Sequence, residues 1–475
     1  MPVALGAFLC LASGFMLVCL GWSRRSPLAS DVVLRLSLSV GFGLGIISVA
    51  YFFTRVFGVA NLLLVDVGVL ALLLIVYLLL RARASSANPG DGSDPGHDEP
   101  RWLRRTLTAG FAFALVGAVY SAILRALANP QGDGWDAFAI WNLHARFLVR
   151  GGSHWRESFS PVILWCHPDY PLLVPASVAH FWSVLGRESA AIPAAIGLLF
   201  TFGTAGVLIS GLSILRGHTA AMLGGITLLA TPSFIEHGTS QYADTALSFF
   251  YLSTIVLLSL HDDRAGNDSS NSAGMLGLAG LAAGFAAWTK NEGLLFFCAI
   301  VLARCMVRVE ASENWMARLR RVVPLLFAAA PIGFVLYYFK HFVAPVGGEL
   351  SDPGTIVHRM LDAGRHWAII QWYVKEFLRF GHWVTILPGT VLLIAFYFSA
   401  DRETDRAHKR SGRAAAVALS FTLAGYYGAF LIAPYVLYHY LRFSMTRLYL
   451  QVWPAAIFLF FLSVKCGSEP VSRDL

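Results

Sequence analysis

Four groups of ionisable residues stand where apolar stretches begin or end. The densest segment, residues 129–173, reads NPQGDGWDAFAIWNLHARFLVRGGSHWRESFSPVILWCHPDYPLL and opens on Asp133 and Asp136. The second group is Gln241-Tyr242-Ala243-Asp244, where an apolar run starts. The third is Lys290-Asn291-Glu292, between two apolar runs. The fourth is Arg442 to Arg447 (RFSMTR), leading into the last run. Carboxylates at a membrane boundary can have shifted proton affinities and serve as general bases. Cations beside them can hold a phosphate that departs with negative charge. Plainer readings stand next to these. A helix cap explains Asp133, Asp136 or Asp244 taken singly. A solvated turn with a local ion pair explains Lys290-Asn291-Glu292. Against the cap reading of Asp244, an acid at the mouth of an apolar helix is costly unless it is paired or faces a cavity.

The elements that must position these groups are hydrophobic spans. The chain has 475 residues, 56% hydrophobic and 13% charged, with a mean hydropathy of +0.62. A soluble domain has about a quarter of its residues charged, so this chain belongs to the polytopic membrane class. Apolar runs lie near 3–22, 32–53, 59–80, 106–128, 190–215, 219–235, 241–260, 274–289, 293–308, 322–340, 384–400, 414–436 and 448–464. They predict an all-α transmembrane bundle of about 13 spans, with roughly 20 residues needed per crossing. The first run lacks a basic start and a clear cleavage site, and is read as a retained span.

Arginines give the bundle a direction. Arg24 and Arg25 follow the first run, and Arg81, Arg83, Arg101, Arg104 and Arg105 follow the third. Arg304, Arg308, Arg318, Arg320 and Arg321 bracket a later loop. Arg402, Arg406, Lys409, Arg410 and Arg413 fill another. The positive-inside rule makes these segments cytoplasmic and puts 129–188, 236–240, 290–292, 341–383 and 437–447 outside. The net charge of +8 is explained by these flanking arginines and their lipid headgroups, with no pattern for nucleic acid. Residues 171–187 are also apolar enough to span. For the parity to hold, either they or one of the runs within 190–235 must be partial or re-entrant, which is tolerated only where protein or a water-filled cavity covers the backbone.

Four parts follow: three N-terminal spans over 1–80 as an accessory unit, a flexible cytoplasmic linker over 81–105, a main module over 106–465, and a cytoplasmic tail over 466–475. The Ser/Pro/Gly/Asp stretch 84–100 carries the linker. Trp135 to Val149 suits an interfacial amphipathic helix in the first external loop. The six cysteines form no CxxC or paired framework. His144, His154, His167, His341, His358, His366, His382 and His439 fall in external segments without ligand spacing, so no metal site is read from them. External tryptophans are explained by an aromatic belt, with stacking on a sugar ring as the functional alternative for one or two.

Taken in order, several pieces resemble the GT-C superfamily of polyprenyl-phosphate-dependent glycosyltransferases, similar to bacterial protein O-mannosyltransferases and aminoarabinose transferases. They are GDGWDAFAIWNLHARFLVRGG with Asp136, then Tyr170-Pro171-Leu172, then ATPSFIEHGTSQYADTALSFF with Asp244. GLAGLAAGFAAWTKNEGLLFF with Lys290 follows, then TRLYLQVWP with Arg447. The resemblance covers residues 106–465. It implies a GT-C-like module in which Asp136 is the general base on an acceptor hydroxyl or amine. The donor would be a sugar on polyprenyl phosphate, attacked in line with inversion, and the acceptor a lipid, glycan or protein. Asp244 would position donor or acceptor, with Asp133 as a further acid. Lys290 and Arg447 would be phosphate partners, with His167, Asp169, Tyr170, Glu292 and Arg442 as further substrate contacts. The resemblance implies a bacterial plasma membrane with the site facing outside, and leaves open a divalent cation bridging Asp136 and Asp244. One departure matters: members of the family often carry Lys before Pro-Pro-Leu, whereas this chain has Asp169 in His167-Pro168-Asp169-Tyr170-Pro171-Leu172. Two other functions are weighed. A polymerase or ligase of lipid-linked glycans predicts the key groups within 341–383. A transporter predicts acids and broken helices near mid-membrane, and no internal repeat supports it.

Overall fold

The structure, a computed structural model, describes residues 2–22, 29–83, 100–264, 269–308, 313–344, 353–383, 389–399, 401 and 406–465. Arg24, Arg25, Arg402, the side chains of Arg81, Arg83 and Arg406, most of the linker (84–99) and the tail (466–475) lie outside the described residues. The described chain is helical, with no strand among the described residues.

Three helices come first: α1 (Pro2–Gly21), α2 (Ala29–Phe57) and α3 (Leu62–Arg83). α4 (Arg101–Ala128) leads to the loop with the candidate acids. There α5 (Gly134–Asp136) runs through a π turn over Ala137–Trp141 into α6 (Asn142–Arg150). α7 (Leu173–Leu185), α8 (Ala191–Arg216), α9 (His218–Leu229), α10 (Pro232–Thr239) and α11 (Ala243–Arg264) follow. Then come α12 (Ser269–Thr289), α13 (Asn291–Met306), α14 (Trp315–Phe342), α15 (Pro353–Leu361), α16 (Ala363–Arg379), α17 (Gly389–Ser399), α18 (Arg406–Ile432) and α19 (Leu437–Ser463). Among the described residues nine helices are long and apolar enough to cross a membrane, or ten if α9 and α10 form one bent span. This differs from thirteen because the runs near 274–289, 293–308 and 384–400 form helices whose described apolar parts are shorter than a full crossing.

The ambiguous stretch 171–190 and its neighbours take two irregular forms. α7 has 13 residues and rises about 20 Å, short of a 30 Å hydrocarbon core. It lies alongside the second half of α2: Ser177 Oγ donates to the Leu44 carbonyl at 3.2 Å, and Ser183 Oγ lies 3.0 Å from the Tyr51 hydroxyl. Just beyond it Glu188 pairs with Arg146 of α6 at 3.3 Å, so the chain returns to the end it left. α9 and α10 meet at a 63° bend. Pro232 causes it, since it lacks an N–H and drives Thr231 to extended backbone (φ −84°, ψ 103°).

α11 is the axis of the bundle, buried along its whole span. Glycines let other helices close on it and on one another. Gly41 of α2 faces the Phe249 ring, where an added Cβ would stand 2.0 Å away. α1 and α2 share one continuous core with the later helices, from Val18 and Phe42 through Phe250 to Phe458. α3 and α4 lie at the rim, with Leu64, Leu72, Phe113 and Val116 exposed as lipid-facing side chains are.

Candidate functional site

Asp136 is placed by a turn that requires two glycines. Gly132 and Gly134 have φ of +84° and +74°, a region open to glycine at little cost. A Cβ on Gly132 would stand 2.6 Å from the Ala137 methyl and 2.7 Å from the Ser240 carbonyl. Gln241 takes φ +63° without being glycine. Its side chain over-determines that conformation, donating to the Pro130 carbonyl at 3.0 Å and accepting from Asn142 Nδ2 at 2.8 Å. These bonds tie both ends of the Asp136 turn to the start of α11. Deeper in the same loop His144 is buried between Ser158 Oγ (2.6 Å) and the Cys166 carbonyl (3.0 Å). Burial lowers its pKa to about 4, with the Cys166 and His167 backbone bonds opposing, so the ring is neutral at pH 7.

Five of the expected residues converge. Arg447 Nη1 bonds Asp136 Oδ2 at 2.5 Å, while its Nε and Nη2 reach Asp244 Oδ2 at 3.0 and 2.9 Å. Lys290 Nζ lies 3.0 Å from Asp244 Oδ1 and 2.8 Å from Glu292 Oε1. Asp244 is wholly buried, and Lys290 is 4% exposed. The guanidinium also lies 4.7 Å from the Tyr242 ring centroid. Burial, then the Asp136 charge, pushes the Tyr242 hydroxyl up to about 12, which keeps it protonated. Behind Asp244 a hydrogen-bond chain links four helices, α11, α19, α18 and α13. Gln451 Nε2 donates to Asp244 Oδ1 at 2.6 Å, and Tyr426 donates to Gln451 Oε1 at 2.5 Å. The Tyr251 hydroxyl lies 3.1 Å from Tyr426 and donates to the Glu292 carbonyl at 2.8 Å.

A cavity of about 430 Å3 opens in front of this cluster. Asp136, Lys290, Glu292, Arg447, His167 and Tyr170 form its polar side. Tyr435, Val436, Tyr440 and Phe443 form an apolar and aromatic side, with Val436 and Phe443 largely exposed. Tyr170 is held by stacking on His167 (4.6 Å between ring centroids) and Trp141 (5.6 Å). Lys290 Nζ lies 5.7 Å from its ring centroid. The arrangement sets two carboxylates, Asp136 and Glu292, beside two cations, so that a carboxylate can take a proton and the cations can meet an anion in the same space.

Not every candidate lines the cavity. Asp244 sits behind Arg447 and Lys290, out of the lining. Asp133 turns outward, 38% exposed and 3.8 Å from Arg125, without making a side-chain cap bond. Arg442 is exposed beside Phe443 and does not line the cavity. Asp169 lies beside the cavity, where it accepts from Asn291 Nδ2 at 2.7 Å and pairs with Lys340 at 3.5 Å. That lysine also bonds the Asp169 carbonyl and Asn291 Oδ1. A cation bridging Asp136 and Asp244 does not fit, because the Arg447 guanidinium occupies that place. Among the described residues no three His, Cys, Asp or Glu side chains group to hold a metal.

Comparison of the chain with protein-family models, with characterised proteins and with solved structures returns no match. The functional reading therefore rests on the site. Sequence reasoning missed Gln451, Lys340 and the Tyr251–Tyr426 pair. Gln451 carried a signal: it is a lone amide in an apolar run, one helical turn beyond Arg447. Lys340 carried a similar one, ending a long apolar run.

Proposed function

We propose that this chain is an inverting glycosyltransferase of the GT-C kind that takes a sugar from polyprenyl phosphate. The observation that carries the reading is the placement of Asp136, Lys290 and Arg447 around one cavity with an aromatic, outward-facing wall. Asp136 takes the proton of the acceptor hydroxyl or amine. The acceptor atom bonds to the anomeric carbon from the side opposite the phosphate. The bond from that carbon to the phosphate oxygen breaks, and the electron pair leaves with the lipid phosphate. Arg447 and Lys290 meet the charge that grows there. Asp244 is a positioning residue for both cations.

The apolar wall around Tyr435, Val436 and Phe443 suits a lipid-borne donor arriving from the bilayer. The acceptor is a lipid, glycan or protein. The proposed setting is a bacterial plasma membrane with the cavity facing outside, since Arg304, Arg321 and Arg410, at the ends of α13, α14 and α18, lie at the other end of α11. A glycan polymerase or ligase centred on 341–383 has less support, because none of the described residues there lines the cavity.

The test is transfer from polyprenyl-phosphate sugars by the purified protein in lipid. Asp136→Asn should lower the rate by about 10²–10⁴-fold at unchanged thermal stability, the range for loss of a general base. Full activity in that variant would overturn the assignment.

A further inference from the structure

A second cavity lies at the end of the bundle remote from Asp136. Its volume is about 730 Å3, and α17, the start of α18 and the end of α19 enclose it. One side is apolar, with Leu459 and Phe460 of α19 and Tyr397 of α17, whose ring centroid lies 6.0 Å from that of Phe460. The other side is basic, with His408, Lys409 and Arg413 of α18.

The basic residues of α18 divide by direction. Arg410 turns into the bundle and donates to the Asp262 carbonyl at 3.0 Å. Lys409 and Arg413, one turn apart, are exposed and line the cavity. Neither has an ion pair or hydrogen bond among the described residues. The acid beside them, Asp263, lies 3.5 Å from His408. Like charges four residues apart on a helix repel, and the positive end of the helix dipole adds to the repulsion. An anion between the two side chains removes both penalties. The apolar wall one helix away has no use for a free anion but suits an acyl chain. The volume lies within the usual range of ligand sites, and basic pockets between membrane helices are suited to anionic headgroups.

We propose that this cavity binds an anionic phospholipid, with its phosphate between Lys409 and Arg413 and an acyl chain along Leu459 and Phe460. The site shares no residue with the Asp136 cavity and does not depend on glycosyl transfer.

Native mass spectrometry of the full-length chain tests it, with phosphatidylglycerol and phosphatidylcholine of equal chain length supplied in equal amounts. Wild type and Asp136→Asn should both retain phosphatidylglycerol about fivefold better. The preference should fall to parity in the Lys409→Ala/Arg413→Ala double variant. Leu459→Trp, which fills the apolar side, should lower phosphatidylglycerol retention at unchanged thermal stability. Excess glycerol phosphate should leave the bound lipid in place. Equal retention of the two lipids by wild type would overturn the proposal. So would a preference that survives the double variant, or complete displacement by glycerol phosphate, which would mark a site for free anions.

Discussion

The two ends of α11 each bury a carboxylate, about 27 Å apart over 18 residues, and the two are used differently. At the far end Asp262 takes Arg304 at 2.6 Å, its carbonyl takes Arg410, and Ser259 meets Ser411 at 2.6 Å. The space beside that cluster is about 10 Å3, barely room for a water. At the near end Asp244 also takes two cations, but each is shared with a further carboxylate that faces a cavity, Arg447 with Asp136 and Lys290 with Glu292. A buried ion pair in a membrane protein is therefore no sign of chemistry by itself. What marks the near end is a shared cation next to open space.

Substitutions can break or sharpen that contrast. The largest effect is expected from the paired arginines. Arg304→Ala should lower stability by about 3–5 kcal/mol, because it leaves the buried Asp262 carboxylate without its cation, and Arg447→Ala by less, because Lys290 and Gln451 still hold Asp244. Only Arg447→Ala should also abolish transfer once the protein is stabilised in lipid. Equal activity losses in the two variants would erase the distinction. Next comes Gln451→Leu, expected to cost roughly 1–3 kcal/mol by removing a donor to the buried Asp244 carboxylate and an acceptor for Tyr426. It should also slow transfer, since Asp244 loses a donor; stability by chemical unfolding and rate by product formation separate the two.

A pH effect of smaller size is expected in the loop of the near end. The folded pKa of His144, about 4, lies below the ordinary 6.5, so the unfolded loop takes a proton first as pH falls. The contribution to stability is whole above about pH 6.5 and is lost on the way down towards 4. Between pH 8 and pH 5.5 the loss is on the order of 1 kcal/mol. Hydrogen-exchange protection in residues 142–166, taken relative to the intrinsic rate at each pH, should therefore fall over that interval, and His144→Phe should remove the dependence. The smallest effect belongs to the closed cluster around Asp262: Ser411→Ala should cost about 1 kcal/mol and leave transfer untouched, as measured by melting and turnover.

Much of the site was legible in the sequence because charge is costly in hydrocarbon. Asp136, Asp244, Lys290 and Arg447 each interrupt or bound an apolar run, and the fold brings all four together. The same rule could not resolve direction. Asp133 is three residues from Asp136, yet the turn between two positive-φ glycines aims it at Arg125. Arg442 precedes Arg447 by five residues, about 140° around the helix, and so misses the cavity. Gln451 was missed because it is uncharged, so the cost of charge in hydrocarbon did not single it out. Span number was the least legible feature. The 63° bend comes from Pro232 and the short α7 packs against α2, and neither follows from the length of apolar sequence.

The chain from Asp244 to Glu292 has a proton count. Gln451 must turn its amide nitrogen to the carboxylate, so its oxygen faces Tyr426, and Tyr426 has to give its one proton to that oxygen. Two contacts remain, from Tyr251 to Tyr426 and from Tyr251 to the Glu292 carbonyl, with a single proton left to serve them. Only the Tyr251 hydroxyl is free to rotate between two acceptors. The row is a one-way polarised wire with a single rotor, and its direction is set by the charge on Asp244. Replacing Asp244 by a neutral amide would remove what fixes that direction, and the orientation of Gln451 would become ambiguous.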